Sequence, residues 1–510
     1  MKHTEEEDTR VQTQGEQPAP QNAHAPEPHP NREDERKVDE KIYRMGNASL
    51  PRLIVEFSIP SIVGMLVNGS YNLLSSAFLG QAMGSIGLSV MTVATPIMIL
   101  FMAISMLVGA GGNALAALRL GQGRKEDAER SLGNTVTLSL FIWAFVVVLV
   151  TIPQTLNWLL AISSATEATH DLAAQYIRII SYGFIFQCIG AGVNNFIRTA
   201  GAPNRALLTM VIGAVSCTVL NYLLVLVLGM EVFGCALATI GGQFLSCITV
   251  LWYFRSSGNA PLKLKLALMK PHRHTITTIL TLGTASFAVQ MGATVFNFVL
   301  NYQLAFYGAQ HPLGAEAALA SIGVVQRVAV FSILPLVGMS IAIQPLLGYN
   351  YGAHKYDRVK KTFWLGVLGA TGIAVFMWIL IHVFPTQIVG AFGLTDAALA
   401  QFTAYALQVQ LLLLPFVGFQ IVGSNYFQAT GQPSKSIFLS LSRQVLFLIP
   451  LLFILPHVLP ALFPSLTGLD SLYWAIPCAD FLAIFTTLVF ILWEMRRLKK
   501  LESGLIKAKF

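Results

Sequence analysis

Two groups of polar residues interrupt otherwise apolar stretches of this 510-residue chain. Asn68, Asn72 and Ser75 recur at i, i+4 and i+7; Gln290, Asn297 and Asn301 recur at i, i+7 and i+11. On a helix of 3.6 residues per turn each group falls on one face. Amides and a hydroxyl give and take hydrogen bonds but supply no activated nucleophile and no acid or base near neutral pH. Their chemistry is recognition, of a ligand or of a neighbouring helix. Asn221 stands in a further apolar stretch. Charges there are few: Arg178, Arg327 and Arg443, and Asp480, the one carboxylate well inside such a stretch. Other constellations lead nowhere. "HKYD" (His354–Asp357) has no second histidine or nucleophile near it, and "GAGGNA" (Gly109–Ala114) lacks the strand that a nucleotide-binding loop requires. No P-loop, HExxH or GxSxG occurs, and the five cysteines are isolated. The expectation is a non-enzyme without metal or cofactor.

The elements carrying these residues are membrane spans. The chain is 54% hydrophobic and 11% charged, with mean hydropathy +0.62, whereas soluble domains carry about 25% charged residues. Twelve apolar segments follow one another, from 53–79 to 471–493, each longer than the roughly 20 residues a helix needs to cross hydrocarbon. They lack barrel alternation, so they are read as helices. Prolines within them, Pro415 among them, imply kinks. Residues 1–44 are rich in Glu, Pro, Gln and His and are expected to be a disordered cytoplasmic tail.

Alternate loops collect Lys and Arg, while the six loops opposite carry none and hold acids such as Asp171, Glu231 and Asp470. The positive-inside rule then places both termini in the cytoplasm. The basic balance belongs beside anionic lipid, which leaves no reason to invoke nucleic acid. "NNFIRTAGAPNRA" (Asn194–Ala206) returns as "SNYFQATGQPSKS" (Ser424–Ser436), with Gly201 over Gly431, Pro203 over Pro433 and Arg205 over Lys435. The basic residue of each copy is expected to face cytoplasmic lipid. "LVGAGGNALAALRLGQG" (Leu107–Gly123) likewise returns at Leu336–Gly352. Six spans before and six after a basic linker make two parallel repeats about an axis along the membrane normal. The expected fold is all-α and integral to the membrane: twelve transmembrane helices in two pseudo-twofold-related six-helix lobes. The amino-terminal lobe is read as 45–255, the linker as 256–275, the carboxyl-terminal lobe as 276–495 and a basic tail as 496–510.

"QPLLGYNYGAHKYDRVKKT" (Gln344–Thr362), "RTAGAPNRA" (Arg198–Ala206), "SLSRQVLFLIPLLFILP" (Ser440–Pro456) and "LGQGRKEDAERSLG" (Leu120–Gly133) together resemble multidrug and toxin extrusion transporters of the MepA/DinF-like branch. The resemblance implies a two-lobe antiporter that expels amphipathic or cationic compounds in exchange for H+ or Na+. The pattern departs where that branch places acids: the first helix reads "YNLLS", with Ser75, and the fifth "CTVLN", with Asn221.

The resulting expectation is a monomeric exporter of amphipathic small molecules in the cytoplasmic (inner) membrane, contacting lipid. Asn68, Asn72, Ser75, Asn221, Gln290, Asn297, Asn301, Arg327 and Asp480 are the candidates for lining its substrate and ion cleft. Asp480 and Arg327 lie about 14 and 18 Å inside their helices from the same side, so they are expected to pair, which would make Asp480 structural. Arg178 is expected to pair with Glu167 or Asp171. The alternatives are a lipid-linked precursor flippase of the same superfamily and a non-transporting scaffold or receptor.

Overall fold

A membrane core offers no water to backbone groups, so each segment must close its hydrogen bonds internally. The computed structural model describes residues 40, 42–163, 167–256, 260–310, 312, 314–392 and 397–505; among these there are helices and no strands. Among the described residues eleven single helices are long and apolar enough to span a membrane. They are α1 (Leu50–Gly84), α2 (Ser89–Gly121), α3 (Lys125–Thr151), α4 (Thr169–Thr199), α5 (Pro203–Val227), α6 (Glu231–Arg255), α7 (Arg273–Gly308), α8 (Ala320–Gly352), α9 (Tyr356–Val383), α11 (Pro433–Leu462) and α12 (Gly468–Glu502). The remaining span, α10, is two pieces, Ala397–Gln410 and Leu414–Ala429, meeting at 46°. Pro415 opens the second piece; it lacks an N–H and crowds the preceding turn, so the helix breaks there.

Helices α1–α6 and α7–α12 form the two lobes. The repeated turn has the same hydrogen bonds in each. Gly201 (φ 75°) sits among Ala200 N–H to Phe196 O, 2.8 Å, and Ala202 N–H to Ile197 O, 3.1 Å. Gly431 (φ 74°) sits among Thr430 N–H to Tyr426 O, 3.0 Å, and Gln432 N–H to Phe427 O, 2.7 Å. This left-handed cap satisfies the last carbonyls of one helix, and proline opens the next. A further repeat joins third helix to fourth: the Trp143 indole N–H donates to Tyr182 O, 2.9 Å, and that of Trp378 to Leu412 O, 3.0 Å.

Several boundaries move from those expected. The expected disordered tail lies, up to residue 39, outside the described residues; residues 42–47 are helical, and Arg44 pairs with Glu56 at 2.8 Å. Helix α7 starts at Arg273, and α12 runs to Glu502. That last turn carries Lys499 and Lys500, which favour the negative end of the helix dipole. The linker is strapped to α3. The Asn134 amide donates to Leu268 O, 3.2 Å, and its oxygen accepts from His272 N–H, 2.8 Å. Glu129 pairs with Lys265 at 2.6 Å. In the other lobe the end of α12 is tied to α9 by Lys360 and Glu502, 2.5 Å.

Candidate functional site

The lobes meet along α1 and α2 on one side and α7 and α8 on the other. From the end carrying the basic loops to the middle of α2 the contact is backbone to backbone. A Cβ on Gly283 would lie 2.6 Å from the Leu107 carbonyl carbon and closer still to its oxygen; one on Gly111 would lie 2.7 Å from Gly283 N. Gly352 approaches Leu118 O and Gly121 approaches Tyr349 O in the same way. Further along, a Cβ on Gly338 would be 2.7 Å from Ile62 Cα, Ser58 Oγ reaches Met339 Sδ at 2.8 Å, and Gly69 packs on Leu334. The segment before α1 bridges the same end: Arg358 donates to Ala48 O, 2.8 Å, and Lys355 to Gly46 O, 2.9 Å.

Towards the other end the polar residues on these faces are half-buried or exposed. Asn301 is eighteen residues beyond Gly283, five full turns, and so returns to its face; Asn297 and Gln290, multiples of seven beyond it, fall within about 40°. Gln290 is half-buried, whereas Asn297 and Asn301 are exposed. On α8, Arg327 precedes Leu334 by seven residues, shares its face and is exposed. Leu107 lies eleven residues along α2 from Leu118, which meets Gly352. At 1.5 Å per residue, Asn297 and Arg327 therefore both stand about 37 Å above the level of Gly352.

The first polar stripe divides. Asn68 is half-buried, and the side chain of Asn72 lies outside the described residues. Ser75 is six residues past Gly69, about 120° around the helix, and turns into the amino-terminal lobe. There the Asn221 amide donates to Ser75 Oγ, 3.2 Å, and lies 3.4 Å from Cys217 Sγ; Ser75 Oγ and Cys217 Sγ are 3.8 Å apart. The two positions where the family resemblance expects acids thus meet as a buried, neutral knot. Asn221 Oδ1 has no hydrogen-bond partner among the described residues.

The expected Asp480–Arg327 pair does not form. Asp480 Oδ1 accepts from Arg443 Nε at 2.7 Å, and the carboxylate is 6% exposed. Helices α11 and α12 are a hairpin packed along its length, and a π-helical segment, Ser442–Leu448, sets Arg443 towards α12. Helix α12 reaches α8 near Tyr473, whose hydroxyl donates to Ser321 Oγ at 3.4 Å. Arg327 is six residues further along α8, about 120° off that face. Depth matched the wrong arginine because depth says nothing about rotation. One other expected placement changes, and of the two partners expected for Arg178 one is not engaged. Asp171 lies 3.1 Å from His170 and is not paired with Arg178, and the Glu167 side chain lies outside the described residues. Lys435 of the second turn does not face lipid: it pairs with the fully buried Glu494 at 2.9 Å, over the rings of Phe427 and Trp493, whereas Arg205 is exposed.

Sequence reasoning missed two charged centres. Glu494 also pairs with Arg497, 3.2 Å; it fell one residue past the assigned span. Arg198, 2% exposed, is held by neutral groups, Asn195 Oδ1 at 2.6 Å, Asn194 Oδ1 at 2.9 Å and Ser61 Oγ at 3.1 Å. The spacing Asn194, Asn195, Arg198 on one helical turn was the available signal.

A helical membrane protein of two repeated six-helix lobes, sealed against each other at one end and exposing polar side chains towards the other, has the architecture of a transporter. The family model MatE matches residues 60–223 and 293–454, and the chain belongs to the MatE family, whose members are transporters and not enzymes. Curated relatives include the "Multidrug export protein MepA" of Staphylococcus aureus, 26% identical over 476 residues, covering 92% of this chain and 99% of the relative. The protein of the same name from Staphylococcus haemolyticus is 26% identical over 475 residues, 92% and 100% of the two chains. Among solved structures, the outward-facing conformation of a multidrug resistance MATE family transporter of the MOP superfamily superposes with a TM-score of 0.82 at 23% identity, covering 90% and 99% of the two chains. A MATE structure in the bent conformation gives 0.82 at 22%, covering 91% and 99%.

Proposed function

We propose that this protein is a secondary-active efflux transporter that exports amphipathic small molecules in exchange for H+ or Na+, alternating access around a cleft between its lobes. The observation that carries this is the interlobe face. It is closed by backbone contacts at Gly283 and Gly338 and exposed at Asn297, Asn301 and Arg327. A wall that is dry at one end and polar and open at the other is what a substrate entering from one side requires. The basic loops favour a cytoplasmic position for the sealed end, which supports reading this state as open outward with both termini cytoplasmic. Similarity to two proteins named multidrug export protein supports a broad range of amphipathic substrates. The cleft candidates are Asn68, Asn72, Gln290, Asn297, Asn301 and Arg327. Ser75 and Asn221 brace the amino-terminal lobe and Asp480 the carboxyl-terminal lobe, each lobe acting within one monomer in the cytoplasmic membrane. In sealed vesicles carrying the purified protein, an imposed proton or sodium gradient is expected to drive dye export. No movement of cationic, neutral or anionic dye under either gradient would end this reading.

A further inference from the structure

The charge on the cleft wall departs from the substrate preference that the family resemblance implies. The four helices that form the seam carry Arg52, Glu56, Arg119, Arg273 and Arg327 as their charged residues. The first four lie within two turns of the sealed ends, and Glu56 is paired there with Arg44. Arg327 alone stands on the parted side. It is exposed, with no ion-pair partner among the described residues. Asp480, the carboxylate expected to balance it, is turned into the lobe and engaged by Arg443. On α7 of the same lobe, at the same level by helical rise, stands Asn297, whose amide donates to Ala293 O at 2.8 Å, which leaves its carbonyl and a second N–H for a ligand.

We infer that the cleft selects amphiphiles bearing an anionic group, a carboxylate, sulfonate or phosphate, which Arg327 grips while the apolar body lies along α7 and α8. The inference rests on the transporter reading and names its substrate class. A guanidinium is weakly hydrated, always charged and forked to match two anionic oxygens. A single uncompensated positive charge between low-dielectric walls focuses its field into the cleft and raises the local concentration of anions while repelling cations.

The test compares two dyes on one xanthene skeleton, anionic fluorescein and cationic tetramethylrhodamine methyl ester. Equilibrium binding to the purified full-length protein and gradient-driven transport in vesicles are measured for the wild type, R327Q, R327K and R327E. The wild type is expected to bind and move fluorescein. R327Q weakens fluorescein binding by about tenfold, the loss of one charge-assisted contact, and strengthens binding of the rhodamine. R327K restores part of the fluorescein affinity, and R327E reverses the preference. An equal loss for both dyes in all three variants, or no change in either, overturns the inference. So does a wild type that moves only the rhodamine, an outcome that leaves the transporter reading standing. A wild type that moves neither dye, nor a neutral one, removes the transporter reading itself. If anionic lipid stabilises the wild type but not R327Q, with dye handling unchanged, Arg327 serves a lipid headgroup and the inference is wrong.

Discussion

Gly283→Ala tests whether the sealed seam is one of two alternative states. A methyl group at this position would lie 2.6 Å from the Leu107 carbonyl carbon and closer still to its oxygen, whereas ordinary contact begins at 3.4 Å. The opposing atoms are backbone in the middle of α2 and cannot rotate away. Because the Leu107 oxygen is nearer than its carbon, the helices must part by well over 1 Å, or the lobes must turn to the state in which this seam is open. Overpacking of a tight contact costs about 1–3 kcal/mol. The cost falls only on the sealed state, so the population ratio should shift by roughly five- to a hundredfold towards the opposite state. Spin labels on cysteines replacing Arg124 and Lys361, which are 57% and 64% exposed at the basic end, would report the separation by pulsed electron resonance. The native cysteines are buried or half-buried and should label poorly. Gly372→Ala is the control, since a Cβ there meets nothing within 4 Å. The expected result is a longer-distance population in Gly283→Ala and none in Gly372→Ala. A lower melting temperature with an unchanged distance distribution would refute the reasoning, because the seam would then be yielding locally within a single state.

Three further outcomes are expected. Asp480→Asn should cost about 3–5 kcal/mol by leaving Arg443 unpaired in a dry interior, while the double change with Arg443→Gln should recover most of it; thermal unfolding in detergent measures both. Arg198→Lys should lower the melting temperature more than Arg198→Gln, because lysine keeps the buried charge without the fork that reaches Asn194, Asn195 and Ser61, whereas glutamine is the residue at the repeat-related position, Gln428. Asn134→Ala should free the interlobe linker by removing its bonds to Leu268 and His272, at about 1–3 kcal/mol of local stability. The expected readout is faster tryptic cleavage at Lys263 and Lys265, and an unchanged digestion rate would show that Glu129 and Thr137 hold the strap without Asn134.

The spans and their duplication were legible because each is a property of a short segment. Hydrocarbon imposes a length and a composition on every helix separately, so α1 through α12 could be marked one by one, the Pro415 break in α10 included. The paired turns at Gly201 and Gly431 were visible because a left-handed cap followed by proline is a local requirement. The site was only partly legible. The face holding Gln290, Asn297 and Asn301 followed from spacing, but its exposure did not, since that depends on where the opposite lobe ends its contact. Ser75 and Asn221 were singled out separately, and nothing in their 146-residue separation said that they touch.

Taken alone, the sequence determined that this chain is a twelve-span, twice-written membrane bundle with basic loops on one side. Those are free energies of transfer and of loop charge, summed segment by segment. Only the tertiary structure decided that Arg443 holds Asp480, that Arg327 is left exposed on the parted face, and that the lobes are sealed at Gly283. Each residue turns a helix by 100°, and a π-helical segment or a bend resets that count. Which charge meets which is therefore fixed by how whole helices are rotated against one another, a quantity that no single segment carries.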